Sequence, residues 1–351
     1  MNRKWLFALI GLLLIGLLAA GVWGYLYFQT HSDPYDVDID GKLIPLFTEV
    51  PFDFSHEFAE DRSHPFLGSA IIDIEGDGIP EVFIGGGSDQ ADGLMKFENG
   101  AFRNIAAGLG LDKKDNDATH GVNVLDVDGD GLPDLFVARQ SGVYLYRNLG
   151  GRFQGKNLNI AFDENFIPLS MTLADLNRDG HVDMFVATYI KKEKMEGQRI
   201  FNKDGYGAQS LLLLNNGDDT FRDITAAAGL SYIHNTFQGV FVDVNDDREV
   251  DLVVAYDTGQ VKTYRNLGNL RFENVSNPTS SVYGFPMGVG VGDYDNDGRV
   301  DFFVSNTGRT IPESAGRGDL TDDHGLMIAP SPWVPSSSSL RLLARRSLST
   351  F

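Results

Sequence analysis

Residues 121–153 read GVNVLDVDGDGLPDLFVARQSGVYLYRNLGGRF, and the rest of the chain repeats this stretch. An apolar run, Gly121 to Leu125, leads into acids at every second position: Asp126, Asp128 and Asp130. Gly131 follows, and Asp134 closes a nine-residue loop of the form D-x-D-x-D-G-x-x-D. Two more apolar runs, Leu135 to Ala138 and Val143 to Tyr146, flank a Gly-marked turn; Asn148 to Gly151 makes a last turn before Phe153. Short apolar runs between turn signals predict strands. The expectation is four short antiparallel strands with an acidic loop between the first two.

The loop has a chemical logic. Hard cations take several oxygens at about 2.3–2.6 Å, and alternating Asp side chains on a tight turn converge on one point. Leu132 at position 7 offers a backbone carbonyl, and Gly131 at position 6 allows the positive φ of the bend. The first six positions copy an EF-hand loop, but strands flank it, and Val137 stands at position 12 where an EF-hand needs Glu. A calcium loop inside a β-hairpin is the reading.

Four further loops keep the pattern. They carry Asp73, Glu75, Asp77 and Glu81; Asp175, Asn177, Asp179 and Asp183; Asp243, Asn245, Asp247 and Asp251; and Asp293, Asp295, Asp297 and Asp301. The first ligands are spaced by 53, 49, 68 and 50 residues, the long spacing holding an insertion at 191–209. Between the loops a second signature recurs as FENGAFRNI, YRNLGGRF, NNGDDTFRDI and YRNLGNLRFENV. The apolar run after each loop does not alternate, which predicts strands covered on both faces, as in blades stacked around an axis. The fold class is therefore all-β: a β-propeller of four-stranded blades, with five recognisable, an incomplete ring of seven.

The loops resemble FG-GAP/VCBS repeats, such as those of integrin α-chain β-propellers. With N-x-G-x-x-F and the AAAGL of Ala226 to Leu230, the flavour is closest to VCBS proteins associated with UnbV/ASPIC segments. The resemblance covers about 68–310; the literal Phe-Gly and Gly-Ala-Pro motif and the UnbV/ASPIC segment are absent. It implies a calcium-stabilised propeller, commonly of seven blades, in an extracytoplasmic protein used for binding or adhesion. Seven blades at this period need about 385 residues, more than remain, so a truncated or frameshifted C-terminus is expected.

The N-terminus carries a separate signal. Trp5 to Phe28 holds no charge and, as a helix, would reach about 36 Å against a hydrocarbon core of about 30 Å. Arg3 and Lys4 precede it, so the positive-inside rule puts residues 1–4 in the cytoplasm and the propeller outside. The expected layout is a stub (1–4), a transmembrane signal-anchor (5–28), an acidic linker (29–41), the propeller (42–326) and a Ser/Arg-rich tail (327–351). A cleaved signal peptide is the competing reading of 5–28. Gly16, Ala20 and Gly24 form a small-residue stripe that suits a weak homodimer through the membrane helix.

The net charge of −20 speaks against nucleic acid as partner, and five bound divalent ions would halve it. The absence of Cys excludes disulfides, zinc thiolates and a Cys nucleophile. Neither a zincin His pair, a G-x-S-x-G elbow nor a phosphate loop is present. The function expected is a membrane-anchored, calcium-binding adhesion or ligand-binding module for an extracellular or envelope protein or glycan. The alternative is an enzyme on the same scaffold, a polysaccharide lyase or hydrolase with structural calcium. Among the loops, those at Asp126 and Asp293 should fill first and that at Asp243 last, since Asn245 and Arg248 cost it charge and bend. The partner is expected on the face opposite the loops, with Lys113, Lys114, His120, Tyr232, His234 and Tyr283 on that side; His120 and His324, each followed by Gly where a strand enters its blade, are expected to be structural.

Overall fold

The structure, a computed structural model, describes residues 50–57, 63–111, 117–195, 207–276, 285–293 and 299–306, with the backbone of 325–329. All lie in one compact unit, Val50–Phe351. Its first sheet is β1 (Ser69–Ile72), β2 (Glu81–Ile84), β3 (Gly93–Glu98) and β4 (Ala101–Asn104). The second is β5 (Thr119–Leu125), β6 (Asp134–Arg139), β7 (Gly142–Asn148) and β8 (Phe153–Asn157). The third is β9 (Phe166–Ala174), β10 (Asp183–Ile190), β11 (Leu211–Asn215) and β12 (Phe221–Asp223). The fourth is β13 (Thr236–Val242), β14 (Asp251–Tyr256), β15 (Val261–Asn266) and β16 (Phe272–Asn274). The fifth has three strands: β17 (Pro286–Gly292), β18 (Asp301–Asn306) and β19 (Gly325–Ala329), a strand that the repeat signature did not mark. Among the described residues helix is confined to two single turns, α1 (Lys192–Met195) and α2 (Thr225–Ala228). Within every sheet the strands pair antiparallel in chain order, so the fold is all-β and propeller-like.

Why the second strands do not alternate is now visible. Every residue of β6, β10 and β14 is buried. On β6, Leu135 and Val137 pack with Ile72, Phe83 and Leu94 of the preceding sheet. Phe136 and Ala138 pack with Met184, Val186 and Leu213 of the following one. Likewise Phe185 and Ala187 meet Leu252 and Val254, and Val253 and Ala255 meet Val289, Phe302 and Val304. Side chains leave a strand alternately on two sides, and both sides here face an apolar neighbour.

The first strands run side by side, β1 against β5, β5 against β9, β9 against β13 and β13 against β17. Their approach is close enough to demand glycine. A Cβ on Gly68 would stand 2.9 Å from the Gly121 carbonyl carbon, and one on Gly121 would stand 2.4 Å from the Leu169 carbonyl oxygen. Each of β5, β9, β13 and β17 carries a register shift that leaves one residue out of the pairing, His120, Leu169, Phe237 and Met287, after one paired residue in β5, β13 and β17 and after three in β9. Such a bulge bends the strand and re-aims its side chain. At the outer edge, Phe52 forms a parallel bridge to Phe102 of β4, so the segment before the first repeat does supply edge pairing.

The expected membrane span needs correction. No helix among the described residues is long and apolar enough to cross a membrane. Residues 5–28, on which the span and its Gly16, Ala20 and Gly24 stripe were placed, lie outside the described residues, as does the acidic linker.

The glycine contacts give a direct test. Gly121→Ala is expected to destabilise the domain by about 2–3 kcal/mol, because backbone rather than a movable side chain fills the space. Gly292→Ala, with nothing within 4 Å of its Cβ, should change stability by under about 0.5 kcal/mol. Urea unfolding of the two variants measures both.

Candidate metal centres

Each acidic loop joins the end of a sheet's first strand to the start of its second. The position-1 acid organises the turn. Asp126 accepts the backbone N–H of Gly129 at 2.8 Å and of Gly131 at 2.9 Å. Asp73 accepts those of Asp77 and Gly78, Asp175 those of Asp179 and Gly180, and Asp243 those of Asp247 and Arg248. The position-5 acids Asp77, Asp130, Asp179 and Asp247 each accept the N–H two residues on, all at 2.8 Å. Gly78, Gly131 and Gly180 take φ of 81°, 89° and 86° at position 6. Arg248 holds the same bend at φ 71°, so the loop at Asp243 keeps its shape without glycine, at a backbone cost of about 1–2 kcal/mol.

The donor sets fit a hard cation. Asp126, Asp128 and Asp130 each offer an oxygen, all within 4.8 Å of one another, and all three residues are exposed. The chemistry is all-oxygen and anionic, which suits calcium and disfavours softer metals. In the third and fourth loops, position 3 is an Asn that donates to the position-5 acid: Asn177 to Asp179 at 2.8 Å and Asn245 to Asp247 at 2.9 Å. Asp293 and Asp301 of the fifth loop are described; Asp295 and Asp297 lie outside the described residues.

Position 9 has a duty that spacing alone did not reveal. Glu81, Asp134, Asp183 and Asp251 are at most 1% exposed. Asp251 accepts the N–H of Val244 in its loop at 3.0 Å and that of Asn266 on β15 at 2.7 Å. Asp134 does the same with Val127 and Asn148, and Asp183 with Leu176 and Asn215. One carboxylate at the head of the second strand thus ties the loop to the third strand. Asn148, Asn215 and Asn266, the Asn of the recurring N-x-G signature, complete the tie. Each accepts the N–H of a Gly in its turn and donates to a carbonyl, of Ile74, Val182 and Val250 respectively. The signature was legible in the sequence; its function needed the contact.

Electrostatics separates the positions. Backbone donors, Gly78 for Asp73 and His181 for Asp179, hold these carboxyls below the usual range. Burial pushes Asp134, Asp183 and Asp251 above it.

Neighbouring loops lie on one side of the sheets. Arg178 of the third loop donates to the Arg248 carbonyl at 2.6 Å and pairs with Glu249 at 3.0 Å in the fourth. At the other ends of the strands sits an aromatic and histidine cluster. Phe66, in the lead-in to β1, meets Tyr189 of β10 at 5.4 Å and Phe237 of β13 at 5.5 Å between ring centroids, and stacks on His64 at 5.0 Å. The Tyr189 hydroxyl donates to the buried Asp257 at 2.5 Å. His120 is buried, shares a hydrogen bond with the Pro168 carbonyl at 3.3 Å, and burial pushes its pKa down to about 4. His120, read from the sequence as structural although it falls on the recognition side, is core, and so is His234, expected on that side: they are 4% and 1% exposed. Tyr232 lies under the Lys262 ammonium, 3.3 Å from the ring centroid. Lys113, Lys114 and Tyr283 lie outside the described residues, as does 196–206 of the insertion.

Repeated acidic hairpins on consecutive four-stranded sheets define a repeat protein, and the family can be named. The FG-GAP-like repeat pattern matches residues 73–137, 126–186 and 243–304, half of the chain, and the chain belongs to that family. Cartilage acidic protein 1 of Homo sapiens is 27% identical over 271 residues, 70% of this chain and 39% of that protein. The Xenopus tropicalis protein of the same name is 25% identical over 307 residues, 80% and 43% respectively. The chain thus spans about two fifths of the length of the curated relatives it matches. Among solved structures, an Agrocybe aegerita lectin that recognises non-reducing terminal N-acetylglucosamine aligns with a TM-score of 0.41 and 16% identity. That alignment covers 68% of this chain and 63% of the lectin chain.

Two measurements test the anatomy. In EDTA, Asp251→Ala is expected to cost about 3 kcal/mol by leaving two buried N–H groups unpaired, and Asp247→Ala under about 0.5 kcal/mol. Urea unfolding of both variants separates clasp from ligand. The second concerns pH. A folded pKa of about 4 for His120, below its ordinary 6.5, means that the unfolded chain binds the proton more readily in that window. Stability from its neutral burial is full above about pH 6.5 and lost as pH falls toward 4, by roughly 3 kcal/mol. His120→Leu, which copies Leu169 at the equivalent bulge, should flatten that part of the pH–melting curve.

Proposed function

We propose that this chain is a calcium-binding module of the FG-GAP-like family whose sheets are successive blades of a β-propeller and whose task is to bind a protein or glycan partner. The convergence of Asp126, Asp128 and Asp130 carries the calcium reading, supported by the same hydrogen-bond frame in the other described loops. Asp73, Glu75 and Asp77, Asp175, Asn177 and Asp179, Asp243, Asn245 and Asp247, and Asp293, Asp295 and Asp297 would hold the ion in the remaining loops. Bound calcium supplies a positive centre that cancels the repulsion among these side chains. The position-9 carboxylates keep the loop seated on its strands with or without the ion.

The side-by-side first strands support the propeller reading, and the binding reading follows from where chain length is spent. The 191–209 insertion leaves from the end of β10, opposite the loops, and long excursions on a rigid scaffold are where recognition residues collect. The burial of His120 and His234 moves the recognition surface outward, away from the aromatic cluster and toward this insertion and its neighbours.

At about 1 mM calcium, sites of the extracellular-module class should each add roughly 0.4–1.4 kcal/mol. Thermal melts in EDTA and in calcium are expected to differ by several degrees, and equal midpoints would refute the calcium reading. Deleting 196–206 across a short Gly-Ser bridge, which keeps Met195 and the buried Ala208 in place, should leave the melting temperature nearly unchanged and weaken partner binding in a glycan and protein array.

A further inference from the structure

Strand register places one side chain at the same point behind each described loop. The residue after the position-9 acid pairs with Met95, Tyr146, Leu213 and Tyr264 on the four third strands. The next residue along each of those strands is Lys96, Arg147, Leu214 and Arg265. The Lys96 ammonium stands 2.8 Å from Glu75 and 3.5 Å from Glu81. One Arg147 Nη stands 2.9 Å from Asp128 and 3.4 Å from Asp134. In both cases the partners are positions 3 and 9 of the loop in the same sheet. The third sheet has Leu214 here, packed into the core, and its position 3 is the neutral Asn177. Arg265 of the fourth sheet pairs with Glu273 on β16 at 2.8 Å, and that loop's position 3 is the neutral Asn245. An acid at position 3 thus comes with a cation that touches it from the third strand.

We propose that Lys96 and Arg147 are built-in counter-ions of the first two loops, holding the position-3 acid in the metal-free protein and yielding it to calcium. The inference rests on the calcium reading above. Its consequence is that counting carboxylates misorders the sites: the loop at Asp126 carries four acids, as do those at Asp73 and Asp293, but must displace a guanidinium to use all of them. A second consequence follows from the other Arg147 Nη, which pairs with Asp219 of the β11–β12 turn at 2.9 Å. Arg147 therefore stands both in the second loop and on the seam to the third sheet. When the ion takes Asp128, the guanidinium keeps Asp219, so filling the second loop leaves that seam closed.

Calorimetric calcium titration and thermal melts of the full chain test this, using wild type, Arg147→Met, Asp128→Asn and the double variant. Arg147→Met is expected to tighten one site about fivefold (about 1 kcal/mol at 298 K, the upper end for an exposed ion pair). Its melting temperature should fall in EDTA and recover in part in calcium, since the ion replaces the pair with Asp128 and not that with Asp219. The gain in affinity should vanish in the Asp128→Asn background, where no position-3 carboxylate is left to release, since a cycle through both variants isolates their coupling. Lys96→Met, in a different sheet, should tighten the first loop in the same direction and stands in if Arg147→Met does not fold. Wild type without heat or melting shift would overturn the calcium reading and this inference together. Wild type that binds, with both Met variants binding equally or more weakly, would overturn the counter-ion role alone and make these residues positioning groups for Glu75 and Asp128.

Discussion

A carboxylate buried at the head of a second strand, accepting one N–H from the loop before it and one from the strand beside it, is what the rest of this domain hangs on. Asp134, Asp183 and Asp251 each do this. Burying such a group is costly unless donors meet it, and here two backbone donors do. The arrangement makes the acidic loop part of the sheet. The residues at positions 1 and 5 can then be given over to shaping the turn and presenting oxygens outward, because they are not what holds the hairpin together.

The same division explains why the opposite strand ends look so different. There a bulge interrupts each first strand, and the displaced His120 and Phe237 together with Phe66 and Tyr189 make a packed cluster of rings. Arg139 pairs with the buried Asp92 of the preceding sheet, and Thr119 donates to the same carboxylate at 2.8 Å. One rim is charged and exposed; the other is closed by rings and internal ion pairs. A pH response arises at the closed rim, where His64 and His120 are held neutral by burial. The acidic loops, with their exposed oxygens, belong to the open one.

Between the rims, close contact of first strands leaves no room for side chains at Gly68 and Gly121, and it brings successive sheets to a common line. Apolar residues of the second strands fill the space on either side. No sheet could be stable alone, because each needs a neighbour over both faces.

Much of this was legible in the chain itself. Asp126 to Asp134 and its copies declared the hairpin loop, since alternating acids with a glycine at position 6 satisfy both the bend and the ligand geometry locally. The non-alternating runs after each loop declared strands with two covered faces. Local patterns suffice there because turn chemistry and period-two side-chain direction are properties of a few consecutive residues. The tertiary structure alone decided that the ninth acid is a backbone clasp and that Asn148, Asn215 and Asn266 serve it. It also decided that His234 is core, and that Lys96 and Arg147 stand against their loops. All of these depend on partners brought together by strand register and sheet packing. No spacing along the chain encodes which side chain will stand behind a loop once the third strand has paired.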